Sequence, residues 1–314
     1  MREIFVEELE LIGRGGMSTI YKLNDEQAVK VYSADTTLEE VERKKNISDE
    51  LAAAGIPVVV CCEIVRAGES YGIIMELLSP DTVAKAVRKD PSLEEMYSGK
   101  MAELLKRIHS TEMPSGRLPA LKGMLSEWID MMEQEYHMSK RTGRCMRQLV
   151  GMLSDTGRVL HLDFHEGNVV LRGDELVLID IDEMCTGEPA FDFAGMYLNH
   201  ILAAGTPGLL EISVGLDAKT TRRMLRQIMR AYCGMEDRLY KQTVRLAHML
   251  SMLMVSLAPA RFGKISPMNR LNMWFIKNVA QPVFCMMWMR YRRNAAGMFA
   301  AVCPEVTDQK AVER

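Results

Sequence analysis

Along the first 78 residues, apolar positions recur at the spacing of β-strands, with one helical interval between them. The interval 36–54 places Leu38, Val41, Ile47 and Leu51 at helical spacing, and it closes at the turn Gly55-Ile-Pro57. The runs of strand length, each bounded by glycine or polar turns, are 9–13, 18–23, 27–32, 57–65 and 71–78. The pattern therefore predicts an N-terminal lobe, residues 1–78, with a small antiparallel β-sheet and one helix.

From residue 79 onward the apolar spacing is mainly helical. Helices are predicted over 93–110, 121–137 and most of 190–300, and two short strands over 169–171 and 176–179. The fold class is therefore α+β, a single domain of 1–314 with a mainly helical C-terminal lobe, 79–314. The longest apolar stretch, 246–259, is too short for a bilayer, which needs about 20 residues, so it predicts a buried helix.

Composition fits a globular chain of 314 residues, 48% hydrophobic and 26% charged. The seven cysteines form no C-x-x-C pair, so they indicate a reducing compartment and no disulfide framework. The N-terminal segment lacks the apolar core of a signal peptide. We expect a cytoplasmic protein that does not insert into a membrane.

Charge is distributed unevenly around a formal net charge of −3. Residues 200–314 contain 17 lysines and arginines but only 7 aspartates and glutamates, which makes this third of the chain basic. Such an excess is compatible with an anionic ligand, a nucleic-acid surface or solvated helix faces. The basic cluster 290–293 is short, so it indicates a solvated helix face rather than a nucleic-acid surface.

The chemically most informative segment is His161-Leu-Asp-Phe-His-Glu-Gly-Asn168, followed by Ile179-Asp-Ile-Asp182. Asp163 and Asn168 lie five residues apart between apolar runs, and Asp180 ends the next run. Phosphoryl transfer requires a carboxylate beside the acceptor hydroxyl and oxygen ligands that hold Mg²⁺ on the phosphates. We therefore predict that Asp163 orients the acceptor, and that Asn168 and Asp180 bind Mg²⁺.

Three neighbouring side chains, Asp182, His161 and His165, have further assignments. Asp182 would reach a second metal ion or a water molecule, and His161 would brace the loop. A zinc site at His161, Asp163 and His165 is an alternative, but the spacing lacks the helical H-E-x-x-H arrangement.

A glycine turn, Gly13-Arg-Gly-Gly-Met-Ser18, lies between two predicted strands. It does not open a helix, which argues against a Walker A loop or a Rossmann fingerprint. Either it is an ordinary hairpin, or its backbone N–H groups bind phosphate oxygens. The predicted nucleotide contacts in this turn are Gly13, Gly15, Gly16 and Ser18. Lys30 follows on the next strand, as a phosphate-binding or a solvated lysine.

These motifs, in this order, resemble the aminoglycoside phosphotransferase and choline kinase branch of the protein-kinase-like fold. That branch reads H-G-D-x-H-x-x-N, then I-D, then G-D-P-x-x-D. This chain matches with the loop above, with Leu178-Ile-Asp180 and with Gly187-Glu-Pro-Ala-Phe-Asp192. Further matches are Leu105-Lys-Arg-Ile-His109 and Gly55-Ile-Pro57. The resemblance spans residues 9–195, and its departures are Leu162 for glycine, Glu166 for proline and Glu188 for aspartate.

The resemblance implies a two-lobed protein-kinase-like fold that uses ATP or GTP with Mg²⁺. It implies that Lys30 pairs with the α- and β-phosphates and with a carboxylate from the helix 36–54. Glu42 is the preferred partner, with Glu39 and Glu40 as alternatives. Backbone groups at Glu76 and Leu78 would bind the purine.

The implied substrate is a small molecule with a hydroxyl group, because two features differ from protein kinases. His165 stands where those enzymes usually have lysine, and only eleven residues separate Asp180 from Asp192, which leaves no room for a peptide-docking segment. A protein kinase and a non-catalytic nucleotide-binding pseudokinase are the alternatives.

Overall fold

The computed structural model describes residues 1–14, 18–79, 81–199, 214–262 and 270–302. By backbone contacts the chain divides into two compact units. The first consists of Met1–Val83 and Gly167–Glu183, and the second of Ala84–Glu166 and the chain from Met184 onward. The N-terminal unit thus includes a segment that lies far beyond residue 78 in the sequence. The lobe boundary at residue 78 stays a prediction.

The first unit contains a six-stranded sheet in the order β1-β5-β6-β4-β3-β2. Neighbouring strands are antiparallel, except that β1 runs parallel to β5. The sheet is therefore mixed rather than purely antiparallel, because the short first strand adds to its edge. The strands are β1 (Arg2–Glu3), β2 (Glu10–Arg14), β3 (Ser18–Lys22), β4 (Gln27–Tyr32), β5 (Cys61–Ala67) and β6 (Ser70–Glu76).

Strand β4 separates two apolar clusters, one on each face of this sheet. Val29 packs with Ile74 and Val65 on one face, while Tyr32 packs with Val41 of the first helix on the other. Since side chains alternate along a strand, Lys30 lies on the same face as Tyr32. The lysine therefore projects toward the face that the helix covers.

That helix, α1 (Leu38–Ala53), begins with a capping box. The Thr37 N–H donates to Glu40 Oε2 at 2.7 Å, and the Glu40 N–H donates to Thr37 Oγ1 at 3.3 Å. The buried positions of α1 form a single stripe, namely Val41, Ile47, Ser48 and Leu51. The helix 36–54 is therefore confirmed, and the stripe fixes which side chains face the sheet.

The hairpin of β8 (Val169–Arg172) and β9 (Glu175–Leu178) also belongs to the first unit. Two hydrogen bonds attach it there: the Leu178 N–H donates to Pro57 O at 2.8 Å, and the Val59 N–H donates to Leu178 O at 3.0 Å. This attachment explains why a segment from the middle of the chain groups with the N-terminal sheet.

The second unit is mainly helical in its described residues. A two-stranded antiparallel ladder joins β7 (Val159–Leu160) to β10 (Cys185–Thr186). The predicted helices 93–110 and 121–137 are confirmed as α3 and α4, with α4 ending at Gln134. In the described residues from 83 onward, the α-helices are α2 (Val83–Lys89), α3 (Glu94–Ser110), α4 (Leu121–Gln134), α5 (Lys140–Val150), α6 (Ala190–Tyr197), α7 (Ala218–Tyr232), α8 (Asp237–Phe262), α9 (Arg270–Phe275), α10 (Gln281–Tyr291) and α11 (Ala295–Val302).

Helix α8 is the one described helix that is long and apolar enough to cross a membrane. Of its most apolar stretch of 18 residues, 72% is buried inside the protein. Its apolar positions, such as Leu250, Leu253 and Leu257, are fully covered. The interpretation of 246–259 as part of a buried helix is confirmed.

We predict that Thr37→Ala lowers the free energy of unfolding by about 1 kcal/mol, because it removes the side-chain acceptor of the capping box. Glu42→Ala, an exposed position of the same helix, should change it by less than about 0.5 kcal/mol. Urea denaturation of both variants checks the prediction. An equal loss in the two variants would contradict it.

Candidate active site

One buried carboxylate fixes the backbone at the start of the loop 161–168. Asp192, in the first turn of α6, has no exposed surface. It accepts the His161 N–H at 3.0 Å on Oδ2 and the Leu162 N–H at 2.6 Å on Oδ1. The loop therefore begins on two hydrogen bonds to one charged group, which are stronger than bonds between neutral groups.

A histidine and a tyrosine support this carboxylate. His109, at the end of α3, places Nε2 2.9 Å from Asp192 Oδ2 and Nδ1 2.8 Å from the Tyr232 hydroxyl. The Tyr232 hydroxyl in turn donates to Val302 O of α11 at 3.4 Å. Phe193 packs edge-on against both rings. A chain of hydrogen bonds thus connects α11, α7 and α3 to the loop.

The electrostatics of Asp192 reflect these contacts. Burial alone would raise the pKa of its carboxyl, but the hydrogen bond and charge of His109 and the His161 N–H outweigh burial and lower the pKa below its ordinary value. The carboxylate is therefore ionised in the folded protein at neutral pH. Both His109 and Asp192 belong to the matched motifs, so the sequence identified these residues but not their contact.

Leu162 has a left-handed backbone, with φ of 63°. A side chain in this region costs about 1–2 kcal/mol, which gives a physical reason for the glycine that the resembling family has here. Two contacts oppose the strain: the short hydrogen bond to Asp192 and the burial of the leucine side chain. The departure at Leu162 is thus accommodated by packing, with the loop backbone in a glycine-like conformation.

Asp163 follows with a partly exposed carboxylate. Its Oδ1 accepts the Asn199 amide N–H at 2.9 Å, and its Oδ2 lies 3.7 Å from His165 Nε2. Burial would raise the pKa of Asp163, but the hydrogen bond and charge of His165, the charge of His161 and the Asn199 amide bring it down to about 2. The group is an oriented, ionised acceptor. Asn199 carried no sequence signal, because it lies beyond the last matched motif.

His161, the first histidine of the loop, lies in the protein interior. His161 is fully buried against Phe164, at a ring distance of 6.0 Å, and its two ring nitrogens have no hydrogen-bond partner among the described residues. The described residues contain no group of three histidine, cysteine or carboxylate side chains that is placed to bind a metal. The zinc alternative therefore has no support from the described geometry.

In the first unit, the ammonium of Lys30 lies between two carboxylates. Its Nζ donates to Asp180 Oδ1 at 3.1 Å and to Asp182 Oδ2 at 3.0 Å. Burial alone would lower the pKa of Lys30, but the charges of Asp182 and Asp180 raise it above its ordinary value. The lysine is therefore a permanently charged cation beside the predicted metal ligands, and not a solvated strand lysine.

The expected pair of Lys30 with Glu42 does not occur. Among the described residues, the ion-pair partners of Lys30 are Asp180 and Asp182, and Glu42 is exposed. The reason is helical geometry: residue 44 lies three positions after the buried Val41, so it shares the inner face, whereas residue 42 is rotated by about 100°.

The other two glutamates do not replace it. Glu40 is engaged in the capping box with Thr37, and Glu39 is exposed. The side chain of α1 that reaches the site is Lys44, whose Nζ donates to Asp182 Oδ2 at 3.0 Å.

The predicted magnesium ligands sit at the open end of the β8–β9 hairpin. Asn168 precedes β8, Asp180 follows β9, and the Ile179 N–H donates to Asn168 O at 3.0 Å. Asp180 has φ of 56°, and 57% of its side chain is exposed. The exposed carboxylate of Asp180 and the amide oxygen of Asn168 are the kinds of hard oxygen donor that Mg²⁺ prefers, so the chemistry of these residues fits the ion. Between Glu166 and Gly167 the chain passes from the second unit to the first.

The glycine turn connects two antiparallel strands, β2 and β3. Gly13 pairs with Ile20 next to an irregularity in the ladder, and Ser18 pairs with Tyr32 of β4. Gly15 and Gly16 lie outside the described residues. The phosphate role of all four positions stays a prediction.

At the predicted purine site, Glu76 is already engaged. Its N–H donates to Val60 O at 3.0 Å, its carboxylate accepts the Val60 N–H at 2.7 Å, and it forms an ion pair with Arg172. Leu78 follows β6 and has no hydrogen-bond partner among the described residues. The N–H and the side chain of Glu76 are thus occupied, and purine binding by Glu76 and Leu78 stays a prediction.

Comparison with known proteins agrees with this architecture. The model of the phosphotransferase enzyme family matches residues 8–241. An ADP-bound aminoglycoside phosphotransferase, APH(2'')-Ib, is 16% identical over 90% of this chain and 94% of its own, with a TM-score of 0.59. A choline/ethanolamine kinase family protein from Mesorhizobium loti is 13% identical over 94% and 92%, with a TM-score of 0.54. No curated protein sequence matches the chain.

We predict that Gly195→Ala destabilises the protein by about 1–3 kcal/mol, because the added Cβ would lie 2.7 Å from the carbonyl oxygen of Leu162. Gly123→Ala is the matched control: this helical glycine has no atom within 4 Å of a built Cβ, so alanine should stabilise by about 0.5–1 kcal/mol. Urea denaturation measures both changes. Equal effects in the two variants would contradict the close contact with the loop.

We predict that Asp192→Asn lowers the free energy of unfolding at pH 7 by about 3–5 kcal/mol, because it breaks a buried charge network. The folded pKa of Asp192 is depressed, so its stabilisation is complete above the unfolded carboxyl pKa, about 3.9, and is lost as pH falls through the folded pKa. The difference in the free energy of unfolding between wild type and Asp192→Asn should therefore narrow below about pH 4. Unfolding curves at pH 7, 4 and 3 test this, and a gap that stays constant would refute it.

Proposed function

The chain belongs to the phosphotransferase enzyme family, and we propose that it transfers the γ-phosphate of ATP or GTP to a hydroxyl group of a small molecule, with Mg²⁺. The observation that carries the proposal is Lys30, a charged ammonium held between Asp180 and Asp182 at the open end of the hairpin that also carries Asn168. Cation, carboxylate and amide are the groups that polyphosphate and its metal ion require.

On the nucleotide side, Lys30 would bind the α- and β-phosphates, and the glycine turn would cover them. Asn168 and Asp180 would hold Mg²⁺, which when bound neutralises the charge of the phosphate oxygens. Leu78 would contact the purine through its backbone. The fixed position of Lys30 supports this role, because a pre-oriented cation needs no reorganisation when the phosphates enter.

On the acceptor side, Asp163 would accept a hydrogen bond from the substrate hydroxyl. As the bond from that oxygen to the γ-phosphorus forms and the bond to the β-phosphate oxygen breaks, the hydroxyl proton passes to the Asp163 carboxylate. With a pKa of about 2, Asp163 orients the nucleophile and takes the proton late, after the hydroxyl has become acidic. The Asn199 amide donates to Oδ1 and His165 Nε2 lies 3.7 Å from Oδ2, so both oxygens of this carboxylate are held in place.

The segment after Asp180 supports a small acceptor. Residues 185–186 form β10, which pairs with β7, and the Thr186 N–H donates to Pro119 O at 2.8 Å. The backbone of this stretch is therefore hydrogen-bonded to β7 and to Pro119, and it is not available to pair with a peptide substrate. Some structures of similar fold contain gentamicin or streptomycin, which are small molecules.

The basic balance of residues 200–314 favours a neutral or anionic acceptor over a polycation, since like charges repel. Sugars, nucleosides, amino alcohols and aminoglycoside-like compounds are the classes to test. A cytoplasmic location belongs to the proposal, because the nucleotide is available there and the six described cysteines are free thiols.

The test combines a metabolite screen with two variants. The wild-type protein, incubated with Mg²⁺-ATP and a metabolite extract, should yield a phosphorylated product by mass spectrometry. Asp163→Asn should lower kcat at least about 10³-fold with little change in nucleotide affinity, because it removes the proton acceptor. Asp180→Ala should abolish the Mg²⁺-dependent rise in melting temperature on nucleotide addition, since it removes a metal ligand.

Asp155→Asn serves as the control, because this exposed aspartate pairs only with Lys122 in the described residues. It should leave product formation and the thermal shift unchanged. Nucleotide binding without any phosphorylated product, from ATP or GTP, would reject the catalytic proposal in favour of a binding protein.

A further inference from the structure

Two lysines from different elements share one carboxylate oxygen. Lys30 of β4 and Lys44 of α1 both place Nζ 3.0 Å from Asp182 Oδ2. Both ammonium groups also lie over the ring of Tyr32, at 5.4 and 5.1 Å from its centroid. The Tyr32 hydroxyl lies 3.5 Å from the other oxygen, Oδ1. We call these four side chains the lysine-pair cluster.

The cluster reverses the charge that α1 was expected to contribute. A helix glutamate beside Lys30 would bring a negative charge, whereas Lys44 brings a positive one. The negative charge that Lys30 needs comes instead from Asp182, whose side chain is 16% exposed. Burial would raise the pKa of this carboxyl, but both lysines lower it. Asp182 is therefore an ionised group already bound by two cations.

We propose that Lys44 is a positioning residue for Lys30, and that it acts through Asp182. Asp182, and not a glutamate of α1, supplies the carboxylate that orients Lys30, and Lys44 holds Asp182 in place. This assignment replaces the expectation that Asp182 binds a second metal ion, and it rests on the proposed nucleotide-binding function.

The physical argument concerns how strongly Asp182 holds Lys30. When one oxygen accepts from two ammonium groups, neither bond carries the full charge interaction, and the two cations repel each other. Lys30 thus keeps a fixed position but remains able to bind phosphate. Without Lys44, Lys30 alone neutralises Asp182, so it is drawn toward the carboxylate and away from the phosphates.

A set of charge variants tests this arrangement through the affinity for Mg²⁺-ADP, which involves no turnover. Lys44→Met should weaken binding by about tenfold, and Lys44→Arg should restore it to within about threefold of wild type. Lys45→Met is the matched control: this neighbouring lysine pairs with Asp49 at 2.7 Å on the same helix, so affinity should change by less than about twofold.

The decisive variant relocates the carboxylate. Lys44→Glu alone places two carboxylates together and should weaken binding more than Lys44→Met. Asp182→Asn alone leaves two lysines without their anchor and should weaken binding by about tenfold. The double variant Lys44→Glu with Asp182→Asn restores one carboxylate beside Lys30, so its affinity should exceed that of either single variant. Melting temperatures within a few degrees of wild type establish that each variant is folded.

The outcomes separate the two proposals. Recovery in the double variant supports the positioning role. Additive losses, or a Lys44→Met protein that binds like Lys45→Met, overturn that role while the proposed function stands. A wild-type protein that binds no nucleotide overturns the proposed function, and the role of Lys44 falls with it.

Discussion

The ionised carboxylate of Asp192 is the group on which the loop geometry depends. It has no exposed surface, and its oxygens accept two consecutive backbone N–H groups and face the imidazole of His109. A buried charge is stable only when its hydrogen-bonding capacity is filled, so the loop, α3 and α6 must adopt one mutual arrangement. That arrangement places Leu162 in a left-handed conformation and directs Asp163 outward to Asn199. The position of the predicted catalytic aspartate therefore depends on a network that fixes the two residues before it in the loop.

Much of the fold was accessible from the sequence, because its signals are local. Apolar runs of strand length predicted five of the six strands of the first sheet, and helical spacing over 36–54 predicted the start of α1 to within two residues. The two-residue strand β1 escaped prediction, because so short a segment has no periodicity. Its parallel pairing with β5 is a tertiary contact that no local pattern encodes.

Some residues of the candidate site were also predicted from local sequence signals, and others were not. Lys30, Asp163 and Asp180 were predicted because motif spacing is a linear property of the chain. Lys44 and Asn199 were missed for different reasons. The buried stripe of α1 places residue 44 on the inner face, but a lysine there contradicts the expected acidic partner, and only the structure shows that Asp182 supplies the opposite charge. Asn199 follows the last matched motif, and its contact depends on how α6 packs beside the loop.

The β8–β9 hairpin places both predicted magnesium ligands within one local element. Asn168 and Asp180 flank paired strands that close at the turn of Gly173, so their separation follows from strand register and not from long-range packing. In folding terms this is a segment of low contact order, and such hairpins form in about 1–10 μs. The turn tolerates changes in length, because it lies at the opposite end of the ladder. Deletion of one residue within either strand, however, would rotate every following side chain to the other face and separate the two oxygen donors. Natural variation in length should therefore concentrate between Arg172 and Glu175, and spare the strands themselves.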